Sequence, residues 1–63
     1  MIVQFMDSAA GTAVYINPDY VVSVRPDLAN PTEVTQVKLS DGESLRVVGD
    51  HEDVARRLAD ATT

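Results

Sequence analysis

The sequence predicts a small α+β fold. It reads as an antiparallel sheet of about five strands, laid out as β-hairpin, strand and β-hairpin, with one C-terminal helix. Three observations carry this. Thr35, Val37 and Leu39, then Leu45 and Val47, alternate with polar residues on either side of a glycine-bearing turn, which is the period of half-buried strands. Shorter alternations precede them at residues 2–6, 12–16 and 20–25. At the end the period changes, with Val54, Leu58 and Ala61 spaced as on one stripe of a helix.

In chain order, Ile2 to Met6 forms the first strand, with Val3 and Phe5 on one face and Ile2, Gln4 and Met6 on the other. Asp7 to Gly11 is a turn, and Gly11 is the natural site of positive φ. Thr12 to Ile16 returns as the second strand, with Val14 and Ile16 set against Ala13 and Tyr15. Asn17-Pro18-Asp19 then interrupts the sheet. Proline fixes φ, lacks an N–H and biases Asn17 towards extended geometry, so a tight corner or a single helical turn is expected. Tyr20 to Arg25 resumes as the third strand, with Tyr20, Val22 and Val24 on one face and Val21, Ser23 and Arg25 on the other. Pro26 to Thr32 has no periodicity and reads as a loop, the natural place for mobility.

The hairpin from Glu33 to Val48 can be registered residue by residue. A two-residue Asp41-Gly42 turn would set Val37 opposite Arg46 and Lys38 opposite Leu45, mixing apolar and charged side chains on both faces. A loop of Ser40, Asp41 and Gly42 pairs Val37 with Leu45 and Thr35 with Val47 instead. It also puts Gly42 at the loop position that needs a left-handed conformation. Gly49 ends the fifth strand, and Asp50 is a good N-cap with Asp53 at the position of a capping-box acid. Asp50, Glu52 and Asp53 suit the positive end of the helix dipole, and Arg56 and Arg57 fall towards the other end. Ala55 widens the apolar stripe, and a helix this short must pack on the sheet to be stable.

The chain has 63 residues, room for one domain spanning residues 1–63. A domain of that size buries about 60% of its unfolded surface and is marginal alone, and with no cysteine it has no disulfide to help. After the inner face is assigned, Ile2, Tyr15, Val21 and Val48 are left over, and one short helix cannot cover both faces of a sheet. Either the sheet curls into a small barrel or a second copy covers the remainder. These four residues are therefore the candidates for self-association, and Arg56 and Arg57 are candidates for a partner contact. Asn17, Pro18 and Gly42 are expected to act as structural turn residues.

The formal net charge of −5 argues against a phosphate-backbone partner, since such binding runs on Lys and Arg. No run of about 18 apolar residues exists to span a membrane. The opening MIVQFMDS lacks the basic region of a signal peptide, so a cytoplasmic location is expected. His51 is the single histidine and its neighbouring carboxylates point in successive directions around a helix, which is no metal-ligand arrangement. Ser8, Ser23, Ser40 and Ser44 lack the context of an activated nucleophile, and the glycines lack phosphate-loop spacing. Neither catalysis nor a metal or cofactor is expected.

The run Tyr15-Ile16-Asn17-Pro18-Asp19-Tyr20-Val21, followed by Val37-Lys38-Leu39-Ser40-Asp41-Gly42-Glu43, Leu45-Arg46-Val47-Val48 and a helix with Val54 and Leu58, resembles the small flagellar FlbD family, which includes the swarming-motility SwrD proteins. The resemblance covers roughly residues 1 to 58. The chain departs from the family in its longer loop from Pro26 to Thr32 and in lacking a basic C-terminal extension. The resemblance implies a non-enzymatic accessory protein of motility or its regulation, with no catalytic residues to carry over. The last hairpin and helix are also similar to the end of LytTR-type DNA-binding domains, which need basic loops. The expected function is a small non-enzymatic protein-binding or regulatory module acting as a homo-oligomer. The alternative is a nucleic-acid-binding transcriptional regulator using Arg25, Lys38 and Arg46.

Overall fold

The computed structural model describes residues 2–62. Five strands and one α-helix follow in the expected order: β1 (Val3–Met6), β2 (Ala13–Ile16), β3 (Val21–Pro26), β4 (Val34–Leu39), β5 (Ser44–Val48) and α1 (His51–Thr62). A single 3₁₀ turn, Pro18–Tyr20, stands between β2 and β3. The strands form two antiparallel sheets, β1-β2 and β3-β4-β5. They touch at one bridge, Asp7 with Val47, where the N–H of Ser8 donates to the carbonyl of Arg46. No further pairing joins the two sheets, so no closed barrel forms among the described residues.

The register of the two hairpins follows from the alternation of their side chains. Phe5 pairs with Val14 and Val3 with Ile16, turning the apolar set of β1-β2 to one face. Val37 pairs with Leu45 and Thr35 with Val47. The Gly42 N–H donates to the Leu39 carbonyl, and Gly42 lies at φ 92°, where an L side chain is strained. Gly11 closes the first turn at φ 71°.

Helix α1 lies across the inner faces of both sheets. Its N-terminus is capped as its sequence suggests, with the Asp53 N–H donating to Asp50 Oδ1 at 2.9 Å. Val54 and Leu58 enter a core completed by Phe5, Ile16, Val37 and Val47. Each such burial contributes about 1.5–3 kcal/mol, which fixes a helix too short to persist alone. Ala61 is half-buried, but Ala55 is exposed and does not widen the stripe. Thr35 is buried in the same layer and is satisfied by donating its hydroxyl to the Gly49 carbonyl at 2.8 Å.

One strand departs from the expected pattern. The third strand begins at Val21, because Tyr20 closes the 3₁₀ turn. Val21 pairs with Leu39 but Ser23 pairs with Lys38, so Val22 is an extra residue, a β-bulge. The bulge shifts the alternation by one at its start. Val21 turns inward and packs beside Val24 against the core, while Tyr20 and Val22 are exposed. Val21 is thus not left over on the outer face.

Candidate functional site: two outer faces

The helix covers the inner faces, so any binding surface on the sheets belongs to the outer ones, and these differ in chemistry. On β3-β4-β5 the register aligns two polar rows across the strands. Ser23, Lys38 and Ser44 form one row, and Arg25, Gln36 and Arg46 form the next. Directly paired residues share a face, so three of the five cations of an acidic chain stand together. Ser23, Arg25, Gln36, Lys38 and Ser44 line a shallow concavity of about 190 Å³.

This face is braced by Asp27, from the loop after β3. Asp27 is only 4% exposed. Its Oδ1 accepts from Gln36 Nε2 and Arg46 Nε, both at 3.0 Å. Its Oδ2 accepts from a guanidinium nitrogen of Arg46 and from the N–H groups of Ala29 and Asn30, each at 3.1 Å. A buried carboxylate is tolerated when it is paired and hydrogen-bonded in this way. The Gln36 amide, then the Arg46 guanidinium and the two backbone N–H groups, hold its carboxyl well below the usual carboxylate range against the opposing effect of burial. The loop from Pro26 to Thr32 is therefore tied to β4 and β5 through one side chain. Among the described residues, neither Arg25 nor Lys38 has an ion-pair or side-chain hydrogen-bond partner.

The outer face of β1-β2 is apolar except for Gln4, which pairs with Tyr15. Ile2, Met6 and Tyr15 are 63%, 52% and 66% exposed, and Val48, at the end of β5, is 48% exposed. Met6 pairs with Ala13, and these two line a concavity of about 330 Å³ with Gln4, Phe5, Val48 and Arg57. Ile2, Tyr15 and Val48 are exposed as expected of self-association candidates, and Met6 joins them. The alternation at Met6 already put it on that face.

The two arginines of the helix part company. Arg56 is exposed. Arg57 instead folds back over β1. Its guanidinium carbon sits 4.5 Å from the centroid of the Phe5 ring, and a terminal nitrogen donates to the Gln4 carbonyl at 2.8 Å. The reason lies in the ladder. The Asp7 N–H donates to Thr12, so odd-numbered groups of β1 face β2 and even-numbered ones, Gln4 included, face away from it. Arg57 supplies a donor there, and an outward partner contact is not its placement.

The expected turn residues serve as such. Asn17 accepts through Oδ1 from the Asp19 N–H at 3.0 Å, and Pro18 is buried at the start of the 3₁₀ turn. His51 is exposed in the first turn of α1, and among the described residues no group of three or more His, Cys, Asp or Glu is placed to hold a metal ion. No described helix is long and apolar enough to cross a membrane. Comparison with protein-family models, with curated proteins and with solved structures finds no match to this chain.

Proposed function

We propose that this protein is a small non-enzymatic binding module that works as a homo-oligomer, its hairpin face meeting a second copy. The observation that carries the reading is the exposed apolar set Ile2, Met6, Tyr15 and Val48 on a chain with little core to spare. Size sets the expected strength. Strands of four residues are about 13 Å long, so the patch is well below the roughly 800 Å² per partner of a standard interface. Weak, concentration-dependent association is the expectation. The resemblance to the FlbD family supports a place in motility or its regulation, with a cytoplasmic location to match. Light scattering coupled to size exclusion tests the oligomer. A mass that rises with concentration and falls back in Tyr15→Ser supports it, and a strict monomer at high micromolar concentration overturns it.

A second reading, a nucleic-acid-binding regulator, is favoured by the grouping of Arg25, Lys38 and Arg46 on one face. It is the weaker of the two. Arg46 is spent on Asp27, and two remaining cations against a net −5 make a poor footprint for a polyanion. An electrophoretic shift at low salt that fades steeply as salt rises would promote it.

A further inference from the structure

We infer that the concavity on the outer face of β3-β4-β5 is a binding site for a single phosphate monoester group, held between Arg25 and Lys38. The lining supplies donors of the right kind: a guanidinium, an ammonium and the hydroxyls of Ser23 and Ser44. None of its lining residues is acidic, although the chain carries twice as many acids as bases, ten against five. The carboxylate bordering the face, Asp27, has both oxygens engaged and draws Arg46 and Gln36 to itself. Among the described residues Arg25 and Lys38 are thus left uncompensated on β3 and β4, in neighbouring rows of the same face.

The ligand class follows from count and volume. Two cations match a dianionic terminal phosphate better than a singly charged carboxylate or a phosphodiester. A concavity of about 190 Å³ is smaller than the roughly 300–1,000 Å³ of sites that enclose a whole small molecule. The site therefore grips one group and leaves the rest of the ligand outside. Neighbouring strands lie about 4.8 Å apart and residues two along a strand about 6.7 Å apart, so long side chains from Arg25 and Lys38 can converge on one tetrahedral anion.

The test is a titration of the full ¹⁵N-labelled chain by NMR with inorganic phosphate, with glycerol phosphate and with a short single-stranded oligonucleotide lacking terminal phosphates, each at matched ionic strength against sodium chloride. Saturable shifts are expected at the amides of Ser23, Arg25, Gln36, Lys38 and Ser44 with the first two ligands, and none at Tyr15. Arg25→Gln and Lys38→Gln should each weaken binding about tenfold or more, as loss of a charge-assisted hydrogen bond does, with the melting temperature shifted by no more than a few degrees. Shifts that chloride reproduces, or affinity that survives both variants, overturn the assignment. Binding of the oligonucleotide without binding of either phosphate overturns it in favour of a nucleic-acid surface.

Discussion

Among the described residues, the outer face of β1-β2 presents Met6 and Tyr15 to solvent with no apolar cover, whereas that of β3-β4-β5 presents Arg25 and Lys38 with no counter-charge. Both faces sit behind the same core, and helix α1 packs beneath both sheets. The difference arises in the connections. The Asp7 turn ties itself to its own neighbours, Oδ1 accepting from the N–H groups of Ala9 and Ala10. The loop after β3 instead sends Asp27 back over its sheet to hold Gln36 and Arg46. The polar face is consequently organised by a partly buried ionic brace, and the apolar side chains of the hairpin face stay exposed to solvent. A surface braced from within suits recognition of a small charged group. A surface left unpartnered suits association.

The largest effect expected is from removing the brace. Asp27→Ala strips an acceptor from Gln36, Arg46, Ala29 and Asn30 at once, and should lower the melting temperature more than any variant below. The milder Asp27→Asn isolates the charge. The folded-state pKa of Asp27 lies below its ordinary value of 3.8, so at low pH the unfolded chain binds a proton that the folded one refuses. Stability from this group is complete above about pH 4 and falls as pH drops below it. The acid limb of a melting-temperature profile should therefore be steeper in the parent than in Asp27→Asn. Asp7, lowered by the N–H groups of Ala10 and Ala9, leaves a residual slope in both. Parallel acid limbs would remove the brace from the comparison.

Next comes the loop that sets the register of the polar rows. Gly42 lies at φ 92° with open space around it, so the strain of substitution is conformational rather than steric. Gly42→Val should cost about 1–2 kcal/mol or more, and Gly42→Asn much less, since asparagine tolerates left-handed backbone. At roughly 4–8 °C per kcal/mol for a domain of this size, the two melts should separate clearly. Coincident melts would contradict the register that aligns Lys38 with Ser44.

Arg57 tests the other sheet. Its contact with Phe5 and its bond to Gln4 together should be worth about 1 kcal/mol at this exposed site. Arg57→Gln is expected to raise hydrogen exchange in β1 more than in β4, because it loosens the hairpin from the helix. Arg56→Gln should do neither.

Arg57 also marks where the sequence ceased to be legible. The element order, the register of the second hairpin, the loop of Ser40 to Gly42 and the Asp50 cap were readable because each rests on neighbours close in the chain. The exposure of Ile2, Tyr15 and Val48 was readable for the same reason, from strict alternation. Val21 was not. A bulge at Val22 leaves no trace in the stretch Val21-Val22-Ser23-Val24, and it reverses the face of Val21. The partners of Asp27 and Arg57 depend on residues 19 and 53 positions away, a separation at which local pattern says nothing. Pro26 to Thr32 looked like an unconstrained loop because Asp27 is indistinguishable from a turn aspartate until Arg46 stands beside it.

The smallest expected effect on stability separates the two faces most directly. Tyr15→Ser and Lys38→Gln both alter exposed side chains, and each should shift the monomer's stability by no more than about 0.5 kcal/mol. Their consequences for binding should be opposite. Tyr15 lies on the apolar face, so Tyr15→Ser should lower the concentration-dependent mass and leave the phosphate titration intact. Lys38 lies in the polar row, so Lys38→Gln should weaken phosphate binding and leave the mass unchanged. Ionic strength provides an independent axis. Salt screens exposed charges over a Debye length of about 10 Å at 0.1 M, so phosphate binding should weaken as salt rises, while apolar association should hold or strengthen. If Lys38→Gln also dissociates the oligomer, and added salt does the same, then the copies meet through the polar face. The apolar hairpin would then be an ordinary exposed surface rather than the interface.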